Sequence, residues 1–169
     1  MIRTAGVPDL EAIMQIESSV FESDAWSPDA MRAELGSSHT FYLVAESDGR
    51  VEGYAGLLAP KGASQADIQT IAVAETARGN GLGRLMMQTL IGEARARRAE
   101  NVFLEVRADN PIAEGLYESL GFERIAVRPH YYQPDNVDAH IMRLALEVPS
   151  AVGPIGSDVV DAAGQESSS

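Results

Sequence analysis

The chain has 169 residues, 45% of them hydrophobic and 22% charged, and it carries a net charge of −12 at pH 7. That length suits one domain with a buried core. The absence of cysteine excludes disulfides, thiolate metal sites and a cysteine nucleophile, and no apolar run reaches the roughly 18 residues of a membrane span. We therefore expect a cytoplasmic protein with no membrane partner. The acidity argues against a nucleic-acid partner and suits a cationic partner such as an amine.

The first part of the chain predicts a strand, two helices and three further strands. Apolar residues recur at helical spacing after Pro8 and Asp9, and Ser27-Pro28 is typical of an N-cap followed by proline at the first helical position. Asp48-Gly49 is typical of a hairpin turn. In chain order we predict a strand at 2–4, a helix from Pro8, a loop at 22–26, a helix from 28 to about 36, and strands at 40–45, 50–58 and up to 73.

A glycine-rich turn follows the last of these strands. The residues up to Val73 are apolar and β-branched, as in a strand, and the residues from 82 to 90 repeat apolar side chains at helical spacing. Such a turn presents free N–H groups and the positive end of the helix dipole, which together bind anions. Arg78 and Arg84 flank it, where they can add charge-assisted hydrogen bonds. The turn is therefore either a pyrophosphate cradle or an ordinary glycine-rich connection.

The second part of the chain completes a mixed α/β sheet. We predict a helix to about 98, a strand at 101–106, a helix from Asn110-Pro111 to Gly121, a strand at 122–127, a loop at 128–136 and a last strand at 137–146. From Pro149 the sequence is small and polar, with too little apolar area to offset its ordering entropy. We therefore predict one domain at 1–148 and a disordered tail at 149–169.

Two common phosphate motifs do not fit the glycine turn. A Walker loop requires lysine and then serine or threonine after its last glycine, but Gly83 is followed by Arg84 and Leu85. A dinucleotide fingerprint requires a third glycine where Met86 stands. The pattern Arg78-x-x-Gly81-x-Gly83, between an apolar strand and an amphipathic helix, resembles instead the coenzyme A loop of the Gcn5-related N-acetyltransferases (GNAT).

Further segments carry the same resemblance. Leu104-Glu-Val-Arg107 with Asn110 is similar to the fifth strand and following turn of these enzymes, and Leu116-Tyr-Glu-Ser-Leu-Gly-Phe122 is similar to their last characteristic helix. Trp26-Ser27 and Tyr131-Tyr-Gln-Pro134 resemble the RimI branch, the ribosomal-protein-alanine N-acetyltransferases. The match covers about residues 2–146.

The resemblance implies the GNAT (acyl-CoA N-acyltransferase) fold, a mixed, mostly antiparallel sheet with splayed central strands flanked by helices. It also implies acetyl-CoA as acyl donor, with the pantetheine arm along the backbone of Ile71, Ala72 and Val73. The other residues that it assigns to the cofactor are Arg78, Gly79, Asn80, Gly81, Leu82, Gly83, Arg84 and Asn110. Asn110 is also the natural N-cap of its helix, and capping alone is the alternative. No metal is expected, because the three histidines lack ligand spacing.

The resemblance places the proton acceptor at Glu105. Alternation along the strand puts Glu105 on the face opposite Leu104 and Val106, beside Phe103. Partial burial there would raise the pKa of the carboxyl group toward a useful value, and pairing with Arg107 would oppose this. The alternative is a solvated acid at a strand end.

Tyr117 is the candidate acid that protonates the leaving thiolate, because a phenol is a suitable proton donor. The alternative is a core aromatic in a stripe formed by Ile112, Leu116 and Leu120. Backbone N–H groups around Ala72 and Val73 are expected to hold the developing oxyanion.

The candidate residues for the acceptor are Trp26, Tyr131, Tyr132 and Asp138. Two adjacent tyrosines offer flat apolar contact with a polar tip, and ordinary packing is the alternative. The resemblance implies transfer to the N-terminal amine of a protein, plausibly a ribosomal protein beginning with alanine. Without a cysteine or a Gly-x-Ser-x-Gly elbow, we expect direct attack in a ternary complex. A lysine or small-amine acetyltransferase and a coenzyme A-binding interaction module without turnover are the rival hypotheses.

Overall fold

The computed structural model describes residues 1–146, which form a seven-stranded sheet with helices on both faces. The elements in chain order are β1 Ile2–Thr4, α1 Leu10–Phe21, α2 Pro28–Leu35, β2 Thr40–Ser47, β3 Arg50–Leu58, β4 Gln65–Val73, α3 Leu82–Ala96, β5 Asn101–Arg107, α4 Pro111–Ser119, β6 Glu123–Tyr132 and β7 Val137–Ala145. The strand order is β1-β2-β3-β4-β5-β7-β6, and only β4 and β5 run parallel. This confirms the predicted mixed, mostly antiparallel sheet.

Local signals in the sequence set several element boundaries. The Ser27 hydroxyl accepts a hydrogen bond from the Ala30 N–H at 3.1 Å and caps α2. Both α2 and α4 begin with proline, whose missing N–H is no loss at that position. Asp48 and Gly49 join β2 to β3 with φ values of 52° and 77°. Two residues in the left-handed backbone conformation match the twist of a tight hairpin. The predicted turn is confirmed.

The predicted loop at 128–136 is wrong over its first part, because β6 continues to Tyr132. The strand contains an irregularity between Arg128, which pairs with Ala139, and Tyr132, which pairs with Val137. Within it His130 adopts a φ of 57°. Proline at position 129 is tolerated because β6 is an edge strand. Proline and the irregular register hide the two-residue alternation by which a strand is recognised in a sequence.

The sheet separates two apolar layers. The larger layer lies between the sheet and helices α3 and α4, and the smaller layer lies under α1 and α2. Tyr42 belongs to the smaller layer, and its ring packs directly over Gly56 of β3. A Cβ at position 56 would clash with this ring. Successive side chains of a strand point to opposite faces of the sheet. Because both faces are covered, neighbouring residues of a strand therefore enter different apolar layers.

The central strands diverge after a short contact. Strands β4 and β5 pair only from Gln65 to Asp67 and from Asn101 to Phe103. Beyond that point β4 runs to Val73 and β5 to Arg107 without pairing with each other. The sheet therefore opens between its fourth and fifth strands, and the predicted splay is confirmed.

Two predictions cannot be compared with this fold. The tail at 149–169 and the end of the domain at 148 lie outside the described residues. Among residues 1–146, no helix combines the length and apolar character needed to cross a membrane.

Candidate active site

The β4 edge of the gap presents unpaired backbone groups. The Ala74 N–H bonds to the Glu52 carbonyl of β3 at 2.8 Å. Hydrogen-bonded pairs alternate along an antiparallel ladder, so the peptide groups of Ala72 also face β3, whereas those of Ile71 and Val73 face the gap. Ile71 and Val73 are thus placed to bond an extended ligand. The register pairs Ala72 with Tyr54 of β3, and the expected contact of Ala72 with the ligand stays a prediction.

The β5 edge of the gap is built in the same way. The Ala108 N–H bonds to the Asp138 carbonyl of β7 at 2.9 Å, and the same alternation turns the peptide groups of Glu105 toward the gap. The gap is therefore lined on both sides by main-chain donors and acceptors. One strand-like ligand fits such an opening, because it can bond to both edges.

The glycine-rich turn lies directly after β4. Gly79 and Gly81 have φ values of 85° and 77°, a region that side chains other than glycine rarely adopt. Gly81 is the N-cap of α3 without a side-chain cap, and the first helical bond runs from the Leu85 N–H to the Gly81 carbonyl at 3.1 Å. The N–H groups of residues 82–84 consequently have no partner one turn back. This is the geometry of an anion site at a helix start.

Polar side chains of the turn are held by nearby protein groups. Arg78 Nε donates to the Val73 carbonyl at 3.2 Å, and Asn80 Nδ2 donates to the Ala77 carbonyl at 3.2 Å. Arg84 Nη2 donates to Ser119 Oγ at 2.8 Å. Gly83 packs near Leu116 of α4, where a Cβ would make an ordinary contact of 3.6 Å. The two arginines therefore flank the turn as predicted, and each retains further N–H groups for an anion.

Glu105 lies in a partly open environment. The residue as a whole is exposed, but its side chain is only 32% exposed, so the expected partial burial of the carboxyl group stays a prediction. Its Oε2 pairs with Arg128 Nη1 at 3.2 Å, and Arg107 pairs with other carboxylates. Burial raises the pKa of Tyr131, and the nearby Glu105 carboxylate raises it further. Glu105 therefore faces solvent within a group formed by one arginine and one tyrosine.

Tyr117 lies in the larger apolar layer with Leu104 and Val106. It is 7% exposed, its ring meets Phe122 edge-on at 6.2 Å, and burial raises the pKa of its phenol to about 12. Ile112 is 87% exposed, so the alternative apolar stripe does not include it. Tyr117 is therefore a buried aromatic residue, and its role as proton donor stays a prediction.

Helix α4 is fastened to the last two strands by a buried carboxylate. Glu114 accepts hydrogen bonds from Arg124 Nε and Nη2 at 3.2 and 2.9 Å, and its other oxygen lies 2.8 Å from His140 Nδ1. At the start of the helix, Asn110 Oδ1 accepts from the Ala113 N–H at 3.2 Å. The predicted cap is confirmed, and a contact between Asn110 and the cofactor stays a prediction. These bonds fix the helix that carries Tyr117.

Glu105 and Tyr117 lie on opposite faces of the sheet. Tyr117 packs with Leu104 and Val106, and the alternation of β5 turns Glu105 to the other face. The opening between β4 and β5 connects these faces. A ligand within the opening therefore has a carboxylate on one side and a phenol on the other.

The candidate acceptor residues lie on the Glu105 side. The Tyr131 and Tyr132 rings meet edge-on with centroids 5.1 Å apart. Asp138 Oδ1 accepts a hydrogen bond from the His130 N–H at 2.9 Å and so supports the irregular part of β6. Trp26 packs against the smaller apolar layer. Asp138 thus supports β6, and acceptor binding by Asp138 and the three aromatic residues stays a prediction.

A family comparison identifies the chain. The sequence pattern of the Acetyltransferase (GNAT) family matches residues 10–122. The chain belongs to this family. The resemblance found in its glycine turn and its last helix is confirmed.

Individual relatives narrow the comparison to one branch of the GNAT family. The chain is 37% identical to the N-alpha-acetyltransferase RimI of Mycobacterium tuberculosis over 138 residues, which are 80% of this chain and 85% of that protein. The crystal structure of the ribosomal-protein-S18-alanine N-acetyltransferase from Escherichia coli superposes with a TM-score of 0.81 and 29% identity, covering 89% of this chain and 96% of that one. The resemblance to the RimI branch is thereby confirmed.

A further GNAT structure bears on the donor. YncA from Salmonella typhimurium, whose structure holds its cofactor acetyl-CoA, superposes with a TM-score of 0.76 and 26% identity, covering 89% of this chain and 96% of that one. The gap and the glycine turn of the present acetyltransferase fit such a molecule, because they supply main-chain partners for an extended arm and an anion site for phosphates.

The sequence did not single out Glu17 of this GNAT protein. Glu17 is 1% exposed, its Oε2 accepts a hydrogen bond from the Trp26 N–H at 2.8 Å, and its Oε1 has no partner among the described residues. Burial raises the pKa of the carboxyl, and the Trp26 N–H and the nearby Thr70 hydroxyl oppose this only in part. A carboxylate on the apolar face of an amphipathic helix, one turn after Ile13, is the signal that would have indicated it.

Proposed function

We propose that this GNAT enzyme transfers an acetyl group from acetyl-CoA to the N-terminal amine of a protein, and that the acceptor is a ribosomal protein beginning with alanine. The observation that carries the proposal is the opening between β4 and β5, which has Glu105 on one face and Tyr117 on the other. Ribosomal protein S18, which the name of the Escherichia coli enzyme gives as its acceptor, supports this choice. Such an acceptor agrees with the cytoplasmic location that the sequence predicts.

The residues that hold the donor line the gap and the turn. The free peptide groups of Ile71 bond to the arm, and the N–H groups at the start of α3, from Leu82 to Arg84, face the phosphates. The Val73 carbonyl accepts a hydrogen bond from Arg78 Nε, so Val73 contributes its N–H, which faces the thioester. Gly79 and Gly81 keep the turn open because they lack side chains. Arg78, Asn80, Arg84 and Asn110 supply the polar contacts of the cradle. Acetyl-CoA supplies the activated acetyl thioester.

Glu105 accepts the proton of the acceptor amine. An α-amino group has a pKa of about 8 and a lysine side chain one of about 10.4, so deprotonating the α-amine takes roughly 3 kcal/mol less free energy. An exposed carboxylate therefore serves an N-terminal amine more readily than a lysine. The amine attacks the thioester carbonyl directly, in a ternary complex.

Tyr117 donates its proton toward the departing sulfur. Because burial holds the pKa of this phenol at about 12, it stays protonated until the sulfur gains negative charge. The N–H of Val73, on the gap edge, is a donor for the charge that develops on the carbonyl oxygen. Trp26, Tyr131 and Tyr132 contact the first residues of the acceptor, and Asp138 supports the strand that carries the tyrosines.

A peptide panel tests this function. Hexapeptides that differ at their first two residues are compared as free and N-terminally blocked forms, with and without an internal lysine, and thiol release is measured. We expect turnover only with a free N-terminus and highest with alanine first. Turnover of blocked, lysine-containing peptides would favour a lysine acetyltransferase. Acetyl-CoA binding without turnover on any peptide would favour a binding module.

A further inference from the structure

The guanidinium of Arg107, at the end of β5, forms ion pairs with three carboxylates. Arg107 Nη1 lies 2.9 Å from Asp24 Oδ2, and its Nη2 lies 3.0 Å from Asp135 Oδ2. Its Nε and Nη2 also donate to the two oxygens of Asp109 at 3.0 and 3.1 Å. The Arg107 Cζ lies 5.1 Å from the centroid of the Tyr132 ring. All three guanidinium nitrogens are therefore engaged.

The three partners come from three different connections of the fold. Asp24 ends the short turn before Trp26, Asp109 precedes Asn110 at the start of α4, and Asp135 follows the tyrosine pair in the connection from β6 to β7. Arg107 lies 83 residues from Asp24 and 28 from Asp135 along the chain. One side chain thus joins the segments that carry the candidate acceptor residues to the strand that carries Glu105.

The chemistry of the contact requires arginine. A planar guanidinium satisfies several carboxylates in fixed directions, whereas a lysine ammonium is a single point charge. Hydrogen bonds from Arg107 lower the pKa of Asp109, so the pairing persists at neutral pH. Arg107 is half-buried, with its side chain 25% exposed. A network of this kind holds geometry better than an isolated surface pair.

The segment around Trp26 is held at a second point. The buried Glu17 accepts the Trp26 N–H at 2.8 Å, while Arg107 holds Asp24 two residues earlier. Loss of the Arg107 contact therefore leaves the Trp26 segment held by the Glu17 bond and by the packing of Trp26 against the smaller apolar layer. The connection after Tyr132 loses the ion pair between Arg107 and Asp135. The Tyr132 ring at the same time loses the guanidinium that lies over it.

We propose that Arg107 is a positioning residue for the acceptor: it fixes the segment that carries Trp26 relative to Tyr132 and so sets the shape of the groove that receives the N-terminal peptide. The proposal rests on the proposed function for what enters the groove. It assigns Arg107 no contact with the reacting atoms.

Steady-state kinetics of Arg107→Gln and Arg107→Lys test the proposal with an alanine-first peptide. We expect the peptide KM to rise by about tenfold or more in both variants, while the acetyl-CoA KM changes by less than about twofold. Arg3→Gln is the matched control, because Arg3 also joins two carboxylates, Asp9 at 2.8 Å and Glu46 at 2.7 Å, but lies on β1 at the far edge of the sheet. Equal effects on both KM values, or an unchanged peptide KM, would overturn the proposal.

Fluorescence gives a readout that does not depend on activity. Trp26 is the sole tryptophan of the chain, so acrylamide quenching reports on its segment alone. We expect greater quenching in Arg107→Gln than in wild type or Arg3→Gln. Should Arg107→Gln not fold, Asp24→Asn and Asp135→Asn remove one arm each and are expected to shift quenching and peptide KM in the same direction. Unchanged quenching in these variants would refute the positioning role. If quenching changes in the variants but the wild type acetylates no N-terminal peptide, only the proposed function is refuted.

Discussion

Arg128 Nη1 lies 3.2 Å from Glu105 Oε2, across strand β7 from the candidate base. The Arg128 side chain is 59% exposed, and ion pairs at such exposure contribute about 0–1 kcal/mol. Its guanidinium also lies over the Tyr131 ring, 5.6 Å from the centroid. This ion pair therefore adds little free energy, and under the proposed function an incoming ammonium group would displace the Arg128 cation at little cost.

Glu105→Gln removes the proposed base. We expect the turnover number to fall by about 10²- to 10⁴-fold, the usual range for a general base. The deficit should grow at low pH, because the variant depends on amine that has lost its proton to solvent, and that fraction falls about tenfold per pH unit below a pKa of about 8. The pH profile of thiol release checks this. Glu118→Gln, which changes an exposed carboxylate of α4, is the control, and a wild-type rate in Glu105→Gln would remove the assignment.

Tyr117→Phe removes the proposed acid and one buried hydroxyl. We expect the turnover number to fall by at least about tenfold while the peptide KM changes by less than about twofold, since the phenol acts on the leaving group. Because the pKa of Tyr117 is raised to about 12, its ionisation should cause no loss of wild-type rate below about pH 10. Tyr42→Phe also removes a buried hydroxyl, one that donates to Gln69 at 2.9 Å, and serves as control. Equal rates in the two variants would assign Tyr117 to packing alone.

Gly81→Ala separates a phosphate cradle from an ordinary turn. Gly81 and Gly49 share a φ of 77°, and a Cβ at either position would meet nothing within 4 Å. Alanine should therefore cost similar stability at both sites, about 1–2 kcal/mol for the left-handed conformation. Only Gly81→Ala should weaken acetyl-CoA binding, by about tenfold in calorimetry, because its methyl group stands where the phosphates approach. Unchanged affinity in Gly81→Ala would indicate an ordinary turn.

Glu17→Gln tests the buried carboxyl beneath the Trp26 segment. Burial raises the pKa of Glu17, so the folded protein binds more protons than the unfolded chain once the pH exceeds the ordinary glutamate value of about 4.3. The contribution of Glu17 to the free energy of unfolding should therefore fall as the pH rises above that value. Glutamine cannot ionise, and its carbonyl still accepts the Trp26 N–H. Urea midpoints between about pH 4.5 and 8 should decline less in Glu17→Gln than in wild type; parallel declines would contradict the expectation.

The sequence by itself determined most of the elements, the family and the place of the glycine-rich turn. Proline, serine and asparagine at helix starts, glycine in the turns, and the two-residue alternation of β5 act over a few neighbouring residues, so their effects can be predicted without the rest of the chain. The edge strand β6 was predicted too short for the same reason: Pro129 interrupts the local pattern, and only pairing with β7 shows that the strand continues.

The tertiary structure alone decided the environment of each side chain. It placed Arg128, rather than Arg107, beside Glu105, left Glu105 exposed, buried Glu17 under Trp26, and brought Asp24, Asp109 and Asp135 to one guanidinium. These contacts join residues far apart in the chain. No local pattern encodes them, because they depend on the order in which the strands lie in the sheet.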